Sequence, residues 1–118
     1  MSEMKIKRRS RTVNITLSTS TSAASTLRMD DMAGAVVSLG TMSTNASTLH
    51  IYGSEAEAGS YRRLYDYAGS PANITLQPST SVGTMYSFPD AAFAAPWLKV
   101  VSGDTNSTGV SGYVTFKG

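Results

Sequence analysis

The chain of 118 residues contains no cysteine, one histidine and one tryptophan. Without cysteine, disulfides, thiolate metal sites and cysteine catalysis are excluded. Small secreted domains often carry disulfides, so their absence favours an intracellular protein or one stabilised by assembly. With His50 as the single histidine, a transition-metal site is not expected. No apolar run is long enough to cross a bilayer and no hydrophobic segment follows the N-terminus, so neither a membrane span nor a signal peptide is predicted.

Charged residues are scarce, at 15% of the chain, and unevenly placed. Residues 1–11 hold five basic residues against Glu3, whereas residues 12–118 hold five basic and seven acidic residues. The pattern predicts a basic N-terminal arm over residues 1–11 and a single domain over residues 12–118. The arm has three interpretations: an assembly arm, a solvated tail or a nucleic-acid arm. The acidic body argues against nucleic-acid binding by the domain itself.

Serine and threonine are abundant, and apolar residues recur at every second position. Val13, Ile15 and Leu17, for example, alternate with polar residues, as in a strand with one buried face. Strands are predicted at residues 13–17, 26–29, 35–39, 48–52, 61–67, 74–76, 84–88, 97–102 and 110–117. This inventory predicts an all-β fold, a jelly-roll-like β-sandwich of about eight short antiparallel strands.

Aromatic residues and arginine concentrate in the strand predicted at 61–67. Tyr61, Arg63, Tyr65 and Tyr67 share one parity and would lie on one face of it. Tyrosine and arginine are enriched at protein interfaces, so this face suits a subunit contact. A glycan platform and ordinary packing of a half-buried sheet face are the other interpretations. Trp97, at the start of another predicted strand, is expected to anchor the core or its rim.

Residues that could perform catalysis do not form a recognisable set. Glu55 and Glu57 lie in a glycine- and alanine-rich loop, and Asp66 follows them. Nothing there resembles an organised calcium loop, and no nucleophile–base pair or cofactor motif can be assembled. We therefore predict no catalytic, cofactor or metal site, and we expect the protein not to be an enzyme.

Two motifs carry a resemblance to a known family across residues 48–118. Residues 49–54 read LHIYGS and lead through a short acidic loop into the aromatic strand. Residues 93–103 follow the pattern F-x-x-x-x-L-K-V-x-S-G, and a last strand ends in Lys117-Gly118. The chain thereby resembles the small head decoration, or cement, proteins of tailed bacteriophages. The resemblance implies a homotrimeric structural protein of the virion, on the outer surface of the capsid. There it would stabilise the head by bridging subunits of the major capsid protein. From composition and charge, no membrane contact is expected and nucleic acid is disfavoured as a partner.

The surface that would contact the capsid or a neighbouring subunit is predicted from the basic arm and the aromatic positions. Its candidate residues are Lys5, Lys7, Arg8, Arg9, Arg11, Tyr61, Arg63, Tyr65 and Trp97. Two alternatives stay open at this point. One is a carbohydrate-binding β-sandwich module that uses Tyr65 and Trp97, and the other is a tail or neck adaptor of a phage virion.

Overall fold

A computed structural model describes residues 10–29 and 32–118, and these residues form nine strands. The strands are β1 (Ser10–Thr16), β2 (Leu27–Arg28), β3 (Gly34–Leu39), β4 (Thr48–Ser54), β5 (Arg62–Arg63), β6 (Asn73–Thr75), β7 (Thr84–Ser87), β8 (Trp97–Ser102) and β9 (Ser111–Lys117). Short 3₁₀ helices lie at Thr21–Ala23, Asp90–Ala94 and Thr105–Ser107. Within the described residues no helix is both long and apolar enough to cross a membrane.

The strands form two antiparallel sheets. The four-stranded sheet has the order β1-β9-β3-β7. The five-stranded sheet has the order β2-β8-β4-β5, and β6 pairs with β4 as well. Strands β5 and β6 share one strand position, because both pair with β4 on the side away from β8. Counted in this way, eight strand positions are divided equally between the two antiparallel sheets, which confirms the predicted jelly-roll-like β-sandwich.

The core lies between the sheets and is built from the apolar residues of each alternating strand. In β3 the side chains of Ala35, Val37 and Leu39 are buried, and the residues between them are partly exposed. In β9, Val114 and Phe116 are fully buried. Since side chains of a strand alternate between its faces, the polar members of each strand lie on the outer faces of the sandwich. The two outer faces are therefore accessible to a partner.

The last two residues of the predicted arm lie in a strand of the sandwich. Strand β1 begins at Ser10, and Ser10 and Arg11 pair with Lys117 and Phe116 of β9. The guanidinium of Arg11 lies 5.0 Å from the centre of the Phe116 ring and donates a hydrogen bond to the Arg28 carbonyl of the other sheet. The described part of the predicted arm thus belongs to the sandwich edge, because a seven-residue pairing with β9 is available to it. Lys5, Lys7, Arg8 and Arg9 lie outside the described residues.

The strand predicted at 61–67 is wrong in its extent. Only Arg62–Arg63 forms a strand, and the chain then turns back in a hairpin over residues 64–72. The Asp66 carboxylate causes this turn by accepting hydrogen bonds from the backbone N–H groups of Ala68 and Ser70, each at 2.9 Å. Gly69 completes the turn with a φ of 83°, a conformation that favours glycine. The predicted four-residue aromatic face therefore does not exist as one strand face.

Candidate binding surface on the five-stranded sheet

The outer face of the five-stranded sheet carries aromatic and basic side chains at its centre. In β8, Leu98 and Val100 are buried in the core, so Trp97 and Lys99 take the opposite face. In β4, Leu49 and Ile51 are buried, and His50 and Tyr52 point outward. Most of these outward residues are partly exposed, so a partner can reach them.

The strand register aligns these residues in two rows across the sheet. Tyr52 lies opposite Lys99 on one side and opposite Arg63 on the other. His50 lies opposite Val101 on one side and Asn73 on the other. Directly opposed residues on one face have Cβ atoms within about 5.5 Å, so each row forms a continuous strip. One strip therefore places an aromatic ring between two cationic groups.

Tyr61 joins this face through Lys99 rather than through strand pairing. The Lys99 Nζ lies 4.5 Å from the centre of the Tyr61 ring and donates a 2.8 Å hydrogen bond to the Thr21 carbonyl. The Tyr61 hydroxyl donates to the Glu57 carbonyl at 2.8 Å. Burial, and secondarily the Glu57 charge, raises the pKa of the Tyr61 hydroxyl. These contacts hold the ring and the ammonium group in a fixed arrangement at the surface.

Arg63 is held in place but retains donor capacity. Its Nη2 donates to the side-chain oxygen of Asn73, and its Nε is buried without an acceptor among the described residues. A guanidinium has five N–H donors and recognises carboxylates and phosphates in a planar, bidentate manner. Since Arg63 is only partly buried, an acceptor from a partner could satisfy the remaining donors.

His50 is packed against the turn that follows β8. A Cβ added to Gly103 would approach the His50 Nε2 to 3.0 Å, so the turn after β8 packs directly on the imidazole. Burial lowers the pKa of His50, the Arg63 charge lowers it further, and Asp104 acts in the opposite direction. The Asp104 carboxylate is itself fixed by Ser47, whose hydroxyl donates to it at 2.6 Å, and this hydrogen bond lowers the pKa of Asp104.

Among the predicted contact residues that the structure describes, three lie together and two lie elsewhere. Tyr61, Arg63 and Trp97 lie on or beside the outer face of the five-stranded sheet. Tyr65 lies on the hairpin beyond β5 and is 55% exposed, while Tyr67 at the hairpin tip is fully exposed. Arg11 lies at the sandwich edge, where its guanidinium contacts Phe116 and the Arg28 carbonyl.

Two members of the face, Tyr52 and Lys99, were not among the predicted contact residues. The sequence indicates that both point outward, because each is flanked by an apolar residue that the structure shows to be buried. What the sequence does not provide is the register that places Lys99 opposite Tyr52. Hereafter the aromatic–basic face means Tyr52, Tyr61, Arg63, Trp97 and Lys99.

The chemistry of the aromatic–basic face suits binding more than reaction. Large rings supply apolar contact area, and cationic groups supply directional hydrogen bonds to acidic or carbonyl acceptors. Within residues 10–29 and 32–118, no group of three or more histidine, cysteine, aspartate or glutamate side chains could hold a metal ion. Comparison of the chain with protein-family models, with curated proteins and with solved structures gives no match.

Proposed function

We propose that this chain is a virion structural protein that binds the outer surface of a tailed-phage head and stabilises it by bridging major capsid subunits. The aromatic–basic face is the docking surface, and the protein acts as a homotrimer without catalysis. The resemblance of residues 48–118 to phage head decoration proteins supplies the biological setting. The jelly-roll-like sandwich is compatible with that setting, since viral capsid proteins and lectins use this architecture.

The observation that carries the proposal is the composition of the aromatic–basic face. Tyrosine, tryptophan and arginine are the residues most enriched at protein interfaces and at the positions that dominate binding energy. Here they are assembled from β4, β5, β8 and the loop before β5. Tyr61, Arg63 and the neighbouring Lys99 are held in place by internal hydrogen bonds. A face whose side chains are already ordered loses less conformational entropy when it binds.

Bridging follows from multivalency rather than from a single strong contact. A trimer that engages several capsid sites gains avidity, because after the first contact the others form at a high local concentration. Residues 1–9 add four basic residues against one acidic residue. We expect them to contribute an electrostatic contact to the shell, and this role stays a prediction.

The proposal is tested by co-sedimentation with expanded shells assembled from the major capsid protein of the same genome. The double variant Tyr61→Ala/Trp97→Ala should reduce shell affinity at least tenfold, because it removes two anchors from each subunit. Val82→Ala removes another exposed apolar side chain, outside this face, and should bind as wild type does. Circular dichroism and thermal unfolding establish that each variant is folded.

A second variant in the same assay lacks residues 1–9, a boundary that leaves β1 intact. It should bind more weakly at low salt and show a flatter dependence on salt than the full chain. Electron microscopy of intact particles then separates a head protein from a tail or neck adaptor by position. Full retention of shell binding by the folded Tyr61→Ala/Trp97→Ala variant would refute the assigned docking face.

A further inference from the structure

The outer face of the four-stranded sheet contains a groove of about 750 Å³. One row of residues crosses all four strands within it: Asn14 of β1 lies opposite Tyr113 of β9, Tyr113 opposite Ser38 of β3, and Ser38 opposite Met85 of β7. All four residues line the groove. The volume falls within the roughly 300–1,000 Å³ range of small-molecule sites.

Glycines allow the strands and turns beneath the groove to approach each other closely. Gly40, Gly83 and Gly112 are among the residues that line it. A Cβ on Gly112 would clash with the Ser38 carbonyl oxygen and lie 2.9 Å from a Leu39 methyl group. A Cβ on Gly83 would lie 2.6 Å from the Leu39 carbonyl oxygen. The close approach of these backbones therefore requires glycine at both positions.

The chemistry of the groove is polar but uncharged. None of the described residues that line it carries a charge, and several carry hydroxyl or amide groups that both donate and accept hydrogen bonds. Tyr113 is 45% exposed and Met85 is 62% exposed, so an aromatic ring and a thioether stand at the surface of an otherwise hydrophilic row. The nearest charge along β9 is Lys117, four residues and about 13 Å beyond Tyr113.

We propose that this groove is a binding site for a neutral saccharide. A pyranose presents C–H groups on its faces and hydroxyl groups around its rim. The face of the Tyr113 ring carries partial negative charge and attracts such C–H groups, while Asn14, Thr16, Ser38 and Ser111 offer partners for hydroxyls. A charged ligand would lack a counter-charge here, because charged ligands are held by charge-assisted hydrogen bonds or ion pairs.

This site is separate from the proposed capsid contact. The groove lies on β1, β9, β3 and β7, whereas the aromatic–basic face lies on the other sheet. A sandwich that docks through the five-stranded sheet leaves the four-stranded face free to bind a glycan. Because saccharide binding is measured on the purified protein and docking on shells, each proposal can fail without the other.

The experiment presents the purified full chain to an array of neutral oligosaccharides of hexoses and N-acetylhexosamines, beside sialylated, sulfated and uronic acid-containing glycans. The neutral oligosaccharide with the strongest array signal is then titrated by calorimetry. We expect binding to neutral members, at least tenfold weaker for Tyr113→Ala and retained for Tyr113→Phe and Tyr113→Trp. Tyr67→Ala removes a more exposed tyrosine outside the groove and should bind as wild type does.

Three results would overturn the site. They are an array on which no glycan binds, binding confined to acidic glycans, and neutral binding that Tyr113→Ala leaves intact. Tyr113 is exposed and lies outside the core, so its alanine variant should fold, and circular dichroism verifies this. Asn14→Ala is a second variant on the groove wall and should weaken binding in the same direction.

Discussion

The two outer faces of this sandwich differ in the chemistry of the side chains that they present. On the five-stranded sheet, large aromatic and basic side chains contact one another. Lys99, for example, lies over the Tyr61 ring and donates a hydrogen bond to the Thr21 carbonyl. On the four-stranded sheet, short hydroxyl and amide side chains line a groove together with Tyr113 and Met85, and glycine allows close backbone approach beneath it. One face is therefore aromatic and cationic, whereas the groove on the other is polar and uncharged.

The difference teaches how one fold can offer two kinds of surface without changing its core. Both faces rest on the same buried layer, with Leu98 and Val100 on one side and Val114 and Phe116 on the other. The two sheets differ in the side chains that point outward from their strands. Substitutions on one face should then leave the other unaffected, so each face can be tested separately.

The largest expected effect is at Gly112 on the four-stranded sheet. Gly112→Ala places a methyl group against the Ser38 carbonyl, and backbone cannot move aside cheaply. We expect the free energy of unfolding to fall by about 3 kcal/mol, measured by urea denaturation. Gly34→Ala in the same sheet is the matched control, since its added methyl meets nothing within 4 Å. Equal stability of the two variants would show that the close approach of backbone at Gly112 does not require glycine.

A smaller effect is expected at Lys99 on the five-stranded sheet. Lys99→Met retains the apolar stem but loses the hydrogen bond to Thr21 and the contact with the Tyr61 ring. The free energy of unfolding should fall by about 1.5 kcal/mol, a value typical of a hydrogen bond from a charged group. Lys117→Met replaces an exposed lysine of the other sheet and should leave the free energy of unfolding almost unchanged. Similar losses in both variants would argue that the Lys99 contacts add no stability of their own.

The smallest effect is the pH dependence expected from His50. Burial and the Arg63 charge lower its pKa in the folded protein, and Asp104 opposes them only in part. The unfolded chain then binds the proton more readily, so stability falls as pH decreases from above 6.5 toward the folded-state pKa. Thermal unfolding at pH 7.5 and 5.5 should show a smaller drop for His50→Gln than for wild type. The same drop in both proteins would exclude His50 as its source.

Alternation alone was sufficient to predict much of the fold. The strand predicted at 97–102 coincides with β8, and those around residues 35–39 and 110–117 agree with β3 and β9 to within one residue. The predictions failed where local chemistry competes with alternation. The Asp66 carboxylate accepts hydrogen bonds from two backbone N–H groups. It thereby ends a strand whose side-chain pattern would otherwise continue to Tyr67.

The candidate sites were less predictable, because they depend on register between distant segments. Lys99 and Tyr52 are far apart in sequence, and only their pairing turns them into one strip. The groove of the four-stranded sheet is harder still to foresee, since Asn14, Ser38, Met85 and Tyr113 come from four separate strands. A single sequence does not reveal which of these strands are neighbours.

The shared position of β5 and β6 has a consequence for how this protein could change. Both strands pair with the same edge of β4, so the hairpin over residues 64–72 is an excursion from what would otherwise be one strand. Lengthening the loop at Ala68 and Gly69 would extend a protrusion while leaving the pairing of both sheets as it is. This makes the hairpin tip a natural place to display a foreign peptide on the sandwich.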